Sequence, residues 1–157
     1  MIQLRDGIGA DADRLFELDR ICFDAGVAYS LREFRWLLRS SKTLCILAED
    51  DGDLAGFAVA QESVIHKSRG GHIVTIDVAP AFRRRGVGRL LMEQIEERMK
   101  ATGAGWLQLE VAVSNSIASE FYGGLGFAAV GRIPNYYHGS IDAIVMEKAL
   151  AGQAFIP

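Results

Sequence analysis

Only two of the 157 residues are cysteines, Cys22 and Cys45, too few for the disulfide framework that staples small secreted domains. Both lie in apolar runs, Ile21-Cys22-Phe23 and Leu44-Cys45-Ile46-Leu47, as buried free thiols of a reducing compartment do. No stretch approaches the ~18 uninterrupted apolar residues of a membrane span. The start, Met1-Ile2-Gln3-Leu4-Arg5-Asp6, has no basic segment followed by an apolar one, so no signal peptide is read there. An excess of positive charge is missing as well: 17 Lys+Arg against 20 Asp+Glu give 17 − 20 = −3. No global field therefore draws the chain to nucleic acid or to an anionic membrane. His66, His72 and His138 lack ligand spacing with cysteines or carboxylates, so no metal site is expected. Repeats, low-complexity blocks and linkers are absent. These absences leave a cytoplasmic monomer or homodimer with one α/β domain over residues 1–150 and a tail, 151–157, that frays or contacts a partner. A chain of this length buries about 70 % of its unfolded surface.

What is present is concentrated in Arg83-Arg84-Arg85-Gly86-Val87-Gly88-Arg89. An apolar run, Ile73-Val74-Thr75-Ile76-Asp77-Val78-Ala79-Pro80, precedes it, and an amphipathic helix starts near Val87. Strand, Arg/Gly turn and helix N-terminus in that order form a cradle for a pyrophosphate. Glycines let the backbone approach the ligand, the first helical amides have no intrahelical acceptor, and the helix dipole adds positive charge. Neither a nucleoside triphosphate nor a nicotinamide dinucleotide is indicated. No Gly-Lys-Ser/Thr follows Gly88, and Gly86-Val87-Gly88 lacks a third glycine.

Spacing sets the other elements. Residues 2–5 read as a strand, and Ala12, Leu15, Phe16, Leu18, Asp19 and Cys22 follow helical spacing with Asp11 as N-cap. Ser30 with Glu33 predicts a capping box for a second helix carrying Leu31, Phe34, Leu37 and Leu38. Strands at 43–49 and 54–63 flank Asp50-Asp51-Gly52-Asp53, a hairpin turn. A strand at 72–78 leads into the Arg/Gly turn. Val87, Leu90, Leu91, Ile95 and Met99 then share one helical face, closed by Gly103 as C-cap. Strands at 105–113, 126–132 and 141–148, with a short helix at 115–123, complete the reading. Ile133 to Ser140 is expected to be a loop.

One strand carries a carboxylate that calls for an explanation. In Trp106-Leu107-Gln108-Leu109-Glu110-Val111-Ala112-Val113, the residues Leu107, Leu109, Val111 and Val113 share one face and Glu110 the other. A carboxylate in an apolar strand is costly unless paired, hydrated or used. It either meets solvent or an arginine, or it does chemistry. Asn115 can cap the next helix, which carries Phe121 and Tyr122 near its end. Tyr122 is either a core aromatic with a satisfied hydroxyl or an acid.

A strand, Arg-x-x-Gly-x-Gly and a helix, then Leu109-Glu110-Val111, then Asn115 followed by Phe121-Tyr122 and Gly126-Phe127, resembles the GNAT superfamily of acetyl-CoA-dependent N-acetyltransferases. Within it, Leu109-Glu110-Val111 and Asn135-Tyr136-Tyr137 with Asp142 to Met146 look like the ribosomal-protein-alanine N-acetyltransferase (RimI) type. The resemblance implies a mixed, mostly antiparallel central sheet of about seven strands flanked by about four helices. It implies that Ile76, Asp77 and Val78 offer backbone groups to the pantetheine arm. Arg83, Arg84, Arg85, Gly86, Val87, Gly88 and Arg89 would cradle the pyrophosphate, with Asn115 a further cofactor contact. Glu110 would be the general base and Tyr122 the general acid. Tyr29, Tyr136 and Tyr137 would line the acceptor groove. The chain departs from the type at Val27-Ala28-Tyr29-Ser30, where a Phe-Pro-Trp-like feature is expected, and in a shortened segment after Tyr137.

The chemistry fits those residue types. An α-amine with pKa of about 7.7–8.0 is roughly 10–20 % neutral at pH 7, whereas a lysine amine is neutral only at the ~0.05 % level. A modest base therefore suffices for an N-terminal amine, and a phenol can serve the departing thiolate. The expected function is acetyl transfer to a protein or peptide N-terminal amine by direct attack. A small-molecule amine or lysine acceptor, and a non-catalytic acyl-CoA-binding module, are the alternatives. Cys22 and Cys45 have no paired histidine apparent, which disfavours a covalent acetyl-cysteine route.

Overall fold

Local signals set the ends of the helix capped by Ser30, of the Asp51-Gly52 hairpin and of the helix closed by Gly103, while other ends are set by tertiary partners. The computed structural model describes residues 1–150. In chain order these form β1 (Ile2–Asp6), α1 (Ala12–Cys22), α2 (Leu31–Arg39), β2 (Thr43–Asp50), β3 (Asp53–Ile65), β4 (Ser68–Val78), α3 (Val87–Ala101), β5 (Trp106–Ala112), α4 (Ser116–Gly124), β6 (Ala128–Tyr137) and β7 (Ile141–Ala149). The sheet has seven strands in the order β1-β2-β3-β4-β5-β7-β6. The pairs β1–β2, β2–β3, β5–β7 and β6–β7 are antiparallel, and β4–β5 is parallel. The mixed, mostly antiparallel sheet with four helices is the expected α/β architecture. The described residues divide into two compact units, one of Met1–Gln61 with Ile73–Arg98, the other of Glu62–His72 with residues 99–150.

In the first unit, Ala12, Leu15 and Leu18 of α1 and Phe34 and Leu37 of α2 bury with Leu47, Phe57 and Val59 of the strands. Phe34 stands edge-on to Phe57 at 5.8 Å and to Tyr29 at 6.0 Å. Each such fully buried side chain contributes about 1.5–3 kcal/mol. The capping box forms as expected: Ser30 Oγ accepts from Glu33 N at 3.1 Å and Glu33 Oε2 from Ser30 N at 2.7 Å. At the predicted hairpin, Asp51 and Gly52 have φ of 50° and 84°, the two positive values a type I′ turn needs.

Asp11 departs from its expected role. It precedes α1 but makes no side-chain cap to it. Its carboxylate instead accepts from Ile8 N at 2.8 Å and from both terminal nitrogens of Arg5 at 2.9 and 2.8 Å. The two-pronged guanidinium match outcompetes a single amide. Arg5 in turn bonds Glu49 at 2.7 Å, tying β1 to β2 through charge as well as backbone.

In the second unit, β5 alternates as expected, with Leu107, Leu109 and Val111 buried. Gly103, at φ 91°, ends the preceding helix with its N–H on Lys100 O at 2.9 Å. Two boundaries differ from the spacing. β4 begins at Ser68 rather than 72, because β3 and β4 are joined by His66 and Lys67 at φ 49° and 64°, with no Gly, Pro or Asn to announce the turn. The expected loop from Ile133 to Ser140 is mostly strand. β6 runs to Tyr137, and its pairing with β7 shifts register between Ile133 and Tyr137. Asp142 holds that irregularity, accepting from Asn135 N at 2.9 Å and Arg132 Nε at 2.7 Å. The tail at 151–157 lies outside the described residues.

Replacing Ser30 by Ala removes one arm of the capping box and is expected to cost about 1 kcal/mol. A urea midpoint that falls with an unchanged slope checks this; an unmoved midpoint would mean that α2 is held by packing alone.

Candidate active site

Glu110 owes its placement to the period of β5, which turns it away from the buried Leu109 and Val111. The parallel register pairs Gly71 with Leu107 and His72 with Gln108. It brings His72 Nε2 to 2.9 and 3.0 Å from the two carboxylate oxygens of Glu110. A carboxylate only accepts, so Nε2 carries the proton and the opposite ring nitrogen, Nδ1, is the basic position of the neutral ring. His72 is 35 % exposed at its side chain and Glu110 14 %; the histidine is thus the more accessible member.

The end of β6 closes around this pair. Tyr136 Oη donates to Glu110 Oε1 at 3.3 Å, and Tyr137 Oη donates to the Glu110 carbonyl at 3.3 Å. The two rings meet edge-on at 4.9 Å. Burial pushes the Glu110 carboxyl up, but the hydrogen bond and charge of His72 and the Tyr136 hydroxyl outweigh it, leaving it below its ordinary value. Burial and then the Glu110 charge push the Tyr136 phenol up, so it stays a donor.

Asn115 and Tyr122 come from α4. Asn115 caps that helix, its Oδ1 accepting from Ala118 N at 3.1 Å. Tyr122 is buried, edge-on to Phe121 at 5.3 Å and to Phe127 at 5.8 Å. Its carbonyl accepts from Leu125 and Phe127 N–H at 3.0 and 3.1 Å, which fixes the end of α4.

The first unit holds the other sequence-predicted residues. Along β4, Ile73, Thr75 and Asp77 are buried, while Val74, Ile76 and Val78 are half-buried. The Asp77 carbonyl faces β3 so closely that a Cβ on Gly56 would lie 2.5 Å from it. The Val78 carbonyl accepts from Arg83 Nε at 3.1 Å. Arg84 and Gly86 have φ of 62° and 79°, and nothing lies within 4 Å of a Cβ built on Gly86. Arg83, Arg84, Arg85 and Arg89 are exposed, Val87 is buried and Gly88 half-buried. Leu90 N–H bonds back to Gly86 O at 3.0 Å as α3 begins, so the amides preceding Leu90 have no intrahelical acceptor. A turn with exposed arginines and helix-start amides lacking intrahelical acceptors fits a pyrophosphate. Tyr29, before α2, donates its N–H to Asp19 Oδ2 at 2.7 Å and its hydroxyl to Val74 O at 3.4 Å.

Glu110, Tyr136 and Tyr137 therefore meet, and His72 joins them. From the sequence His72 is weighed only as a metal ligand, so its place beside Glu110 is a finding of the structure. Its position on the outward face of the strand entering the Arg/Gly turn was the available signal. Among the described residues no group of three metal-ligating side chains occurs, and no helix is long and apolar enough to cross a membrane. Burial pushes the Cys22 thiol up and the Cys45 thiol up to about 12, against a ready thiolate nucleophile.

The second unit carries a carboxylate–imidazole pair beside the parallel β4–β5 pairing, and the first an anion-cradling turn between β4 and α3; each is a feature of acyltransferase-type proteins. The acetyltransferase (GNAT) family matches residues 12–127, and the chain belongs to that family; it is an acetyl-CoA-dependent N-acetyltransferase. It is 30 % identical over 148 residues to the N-terminal acetyltransferase B complex catalytic subunit naa20 of Schizosaccharomyces pombe, covering 89 % of this chain and 82 % of that one. Among solved structures, the ribosomal-protein-S18-alanine N-acetyltransferase of Escherichia coli superposes with a TM-score of 0.84 at 26 % identity over all of both chains. NAA60 of Arabidopsis thaliana in complex with acetyl-CoA shares the fold with a TM-score of 0.85 at 19 % identity, over 97 % of this chain and 100 % of that one.

Carboxyl 13C titration should place Glu110 below its ordinary 4.5. His72→Ala leaves burial as the dominant influence and is expected to move that midpoint up. A midpoint unmoved by the substitution would remove His72 as the charge partner.

Proposed function

We propose that the chain acetylates the α-amine of protein or peptide N-termini, with Glu110 and His72 acting together as its base. The observation that carries this reading is the 2.9 Å contact between His72 Nε2 and Glu110. The ionised Glu110 fixes the imidazole tautomer and stabilises the imidazolium formed when Nδ1 takes a proton. Histidine is the side-chain type whose ordinary titration falls near neutrality, which suits an acceptor that is already partly neutral there.

The neutral amine attacks the thioester carbonyl directly. Its nitrogen forms the new C–N bond, its surplus proton passes to the His72–Glu110 pair, and the C–S bond breaks. Tyr122 gives a proton or a hydrogen bond to the departing sulfur and is the general acid. Arg83, Arg84, Arg85 and Arg89, with the amides of Gly86, Val87 and Gly88, hold the pyrophosphate. Backbone groups of Ile76, Asp77 and Val78 receive the pantetheine arm, and Asn115 makes a further contact. Tyr29, Tyr136 and Tyr137 line the acceptor side. The similarity to an N-terminal acetyltransferase subunit and to a ribosomal-protein-alanine acetyltransferase supports the choice of an α-amine. On this reading the protein works in the cytoplasm as one functional domain, as a monomer or homodimer, without a metal.

The test is a panel of free-N-terminus peptides, the same peptides N-terminally blocked but carrying lysine, and small amines. Acetylation confined to free α-amines is expected. Acetylation of small amines alone would overturn the acceptor, and cofactor binding without transfer to any amine would overturn the enzyme. On the best acceptor, Glu110→Gln and Tyr122→Phe should each lower kcat by roughly 10²–10⁴-fold. Undiminished rates, with chemistry rate-limiting, would remove both from these roles.

A further inference from the structure

Two acids that the proposed reaction does not use as acids are buried in the first unit. Asp19 of α1 is 0 % exposed and Asp77 of β4 is 1 % exposed. Each has one oxygen occupied: Asp19 Oδ2 accepts from Tyr29 N at 2.7 Å, and Asp77 Oδ1 from Thr75 Oγ1 at 2.7 Å. The other two oxygens, Asp19 Oδ1 and Asp77 Oδ2, have no hydrogen-bond donor among the described residues. The two side chains act on one another's ionisation, and as two carboxylates neither can donate to the other. Two ionised carboxylates sharing a dry site repel, and each has lost its hydration. A single proton would relieve both penalties by giving one acid an O–H to donate to the other.

The surroundings decide where that proton resides. Burial first, then the bond and charge of Asp19, hold Asp77 well above the usual carboxylate range. Burial raises Asp19 too, but Asp77 and the Tyr29 amide act in the opposite direction, so Asp77 is the more strongly raised of the two. The other titratable and charged groups facing the pair are Glu33 of α2 on Asp19, Arg83 on Asp77, and the Cys22 thiol, which meets both. Arg83 contributes too little to ionise Asp77.

The pair joins two parts of the molecule that the proposed function uses. Asp19 holds the amide of Tyr29, whose hydroxyl reaches Val74 O at 3.4 Å. Asp77 belongs to the strand segment read as the pantetheine partner, and Cys22 Sγ also reaches that segment, donating to Val78 O at 3.6 Å. We propose that Asp19 and Asp77 share one proton and act as a positioning pair, fastening the Tyr29 segment to β4 and loosening it when the proton is lost. The inference rests on Tyr29 being an acceptor-side residue.

The test uses the full chain. Asp77→Asn supplies an amide donor to Asp19 that does not titrate. Asp77→Leu supplies none and leaves Asp19 Oδ1 unsatisfied. The native carboxyl with a raised pKa keeps its stabilising form below the ordinary value of 3.8 and loses it as pH climbs through the raised native value. Wild-type Tm should therefore fall with rising pH relative to that of Asp77→Asn, whose amide has no proton to lose. A Tm difference that stays flat from about pH 4 to 9 overturns the shared proton. Hydrogen exchange at the Tyr29 amide should remain protected in Asp77→Asn and quicken roughly tenfold or more in Asp77→Leu. Equal protection in both overturns the fastening, and the Asn comparison stands even if the Leu variant does not fold. Tyr29→Ala with an unchanged acceptor KM, alongside the expected Tm and exchange results, would reject the acceptor reading of Tyr29 while the proton pair stood.

Discussion

The parallel pairing of β4 with β5 is the constraint on which the rest depends. Antiparallel neighbours need only a tight turn, but a parallel pair demands a crossover, here α3. A crossover helix must begin just beyond the end of β4, so its unsatisfied amides and the Arg/Gly turn arrive there as a consequence of topology. The same pairing sets His72 beside Gln108, and the two-residue period of β5 then puts Glu110 within hydrogen-bond range of His72. The proposed donor cradle and the proposed base thus descend from one strand's direction.

β4 also separates two kinds of acid chemistry by alternation. His72 lies with the half-buried positions and Asp77 with the buried ones. Glu110, though partly buried, stays ionised because its neighbours are donors: an imidazole N–H and a phenol. Asp77 is held well above the usual carboxylate range by burial first and then by a second acid, Asp19. Burial acts in the same direction on both carboxyls, and the neighbour decides the outcome. The first arrangement suits proton transfer and the second suits holding a segment in place.

Much of this was legible in the residues. The capping box at Ser30, the Asp-Gly hairpin, the α3 face with its Gly103 cap and the alternation of β5 all follow local rules, and local rules survive tertiary context. The Asp11 cap did not, because a bidentate arginine 6 residues away in the chain competes for the same carboxylate. The His66-Lys67 turn was hidden because neither residue advertises positive φ. The extension of β6 to Tyr137 was hidden because Asp142, on the neighbouring strand, holds the irregular backbone. Glu110 could be singled out from its strand, but its partner could not. His72 and Glu110 are 38 residues apart, and only the strand register joins them. The buried pair Asp19–Asp77 was invisible for the same reason: Asp19 reads as one more residue of an amphipathic helix.

The central claim is that the His72–Glu110 pair receives the proton of an N-terminal amine. A crystal structure with a bisubstrate analogue linking coenzyme A to a peptide α-nitrogen tests it most directly. The expected result places that nitrogen within hydrogen-bond reach of His72 or Glu110, directly or through one water, with the pyrophosphate on the Gly86–Arg89 amides. A peptide nitrogen bound away from both side chains, with the pyrophosphate still in the turn, would contradict it.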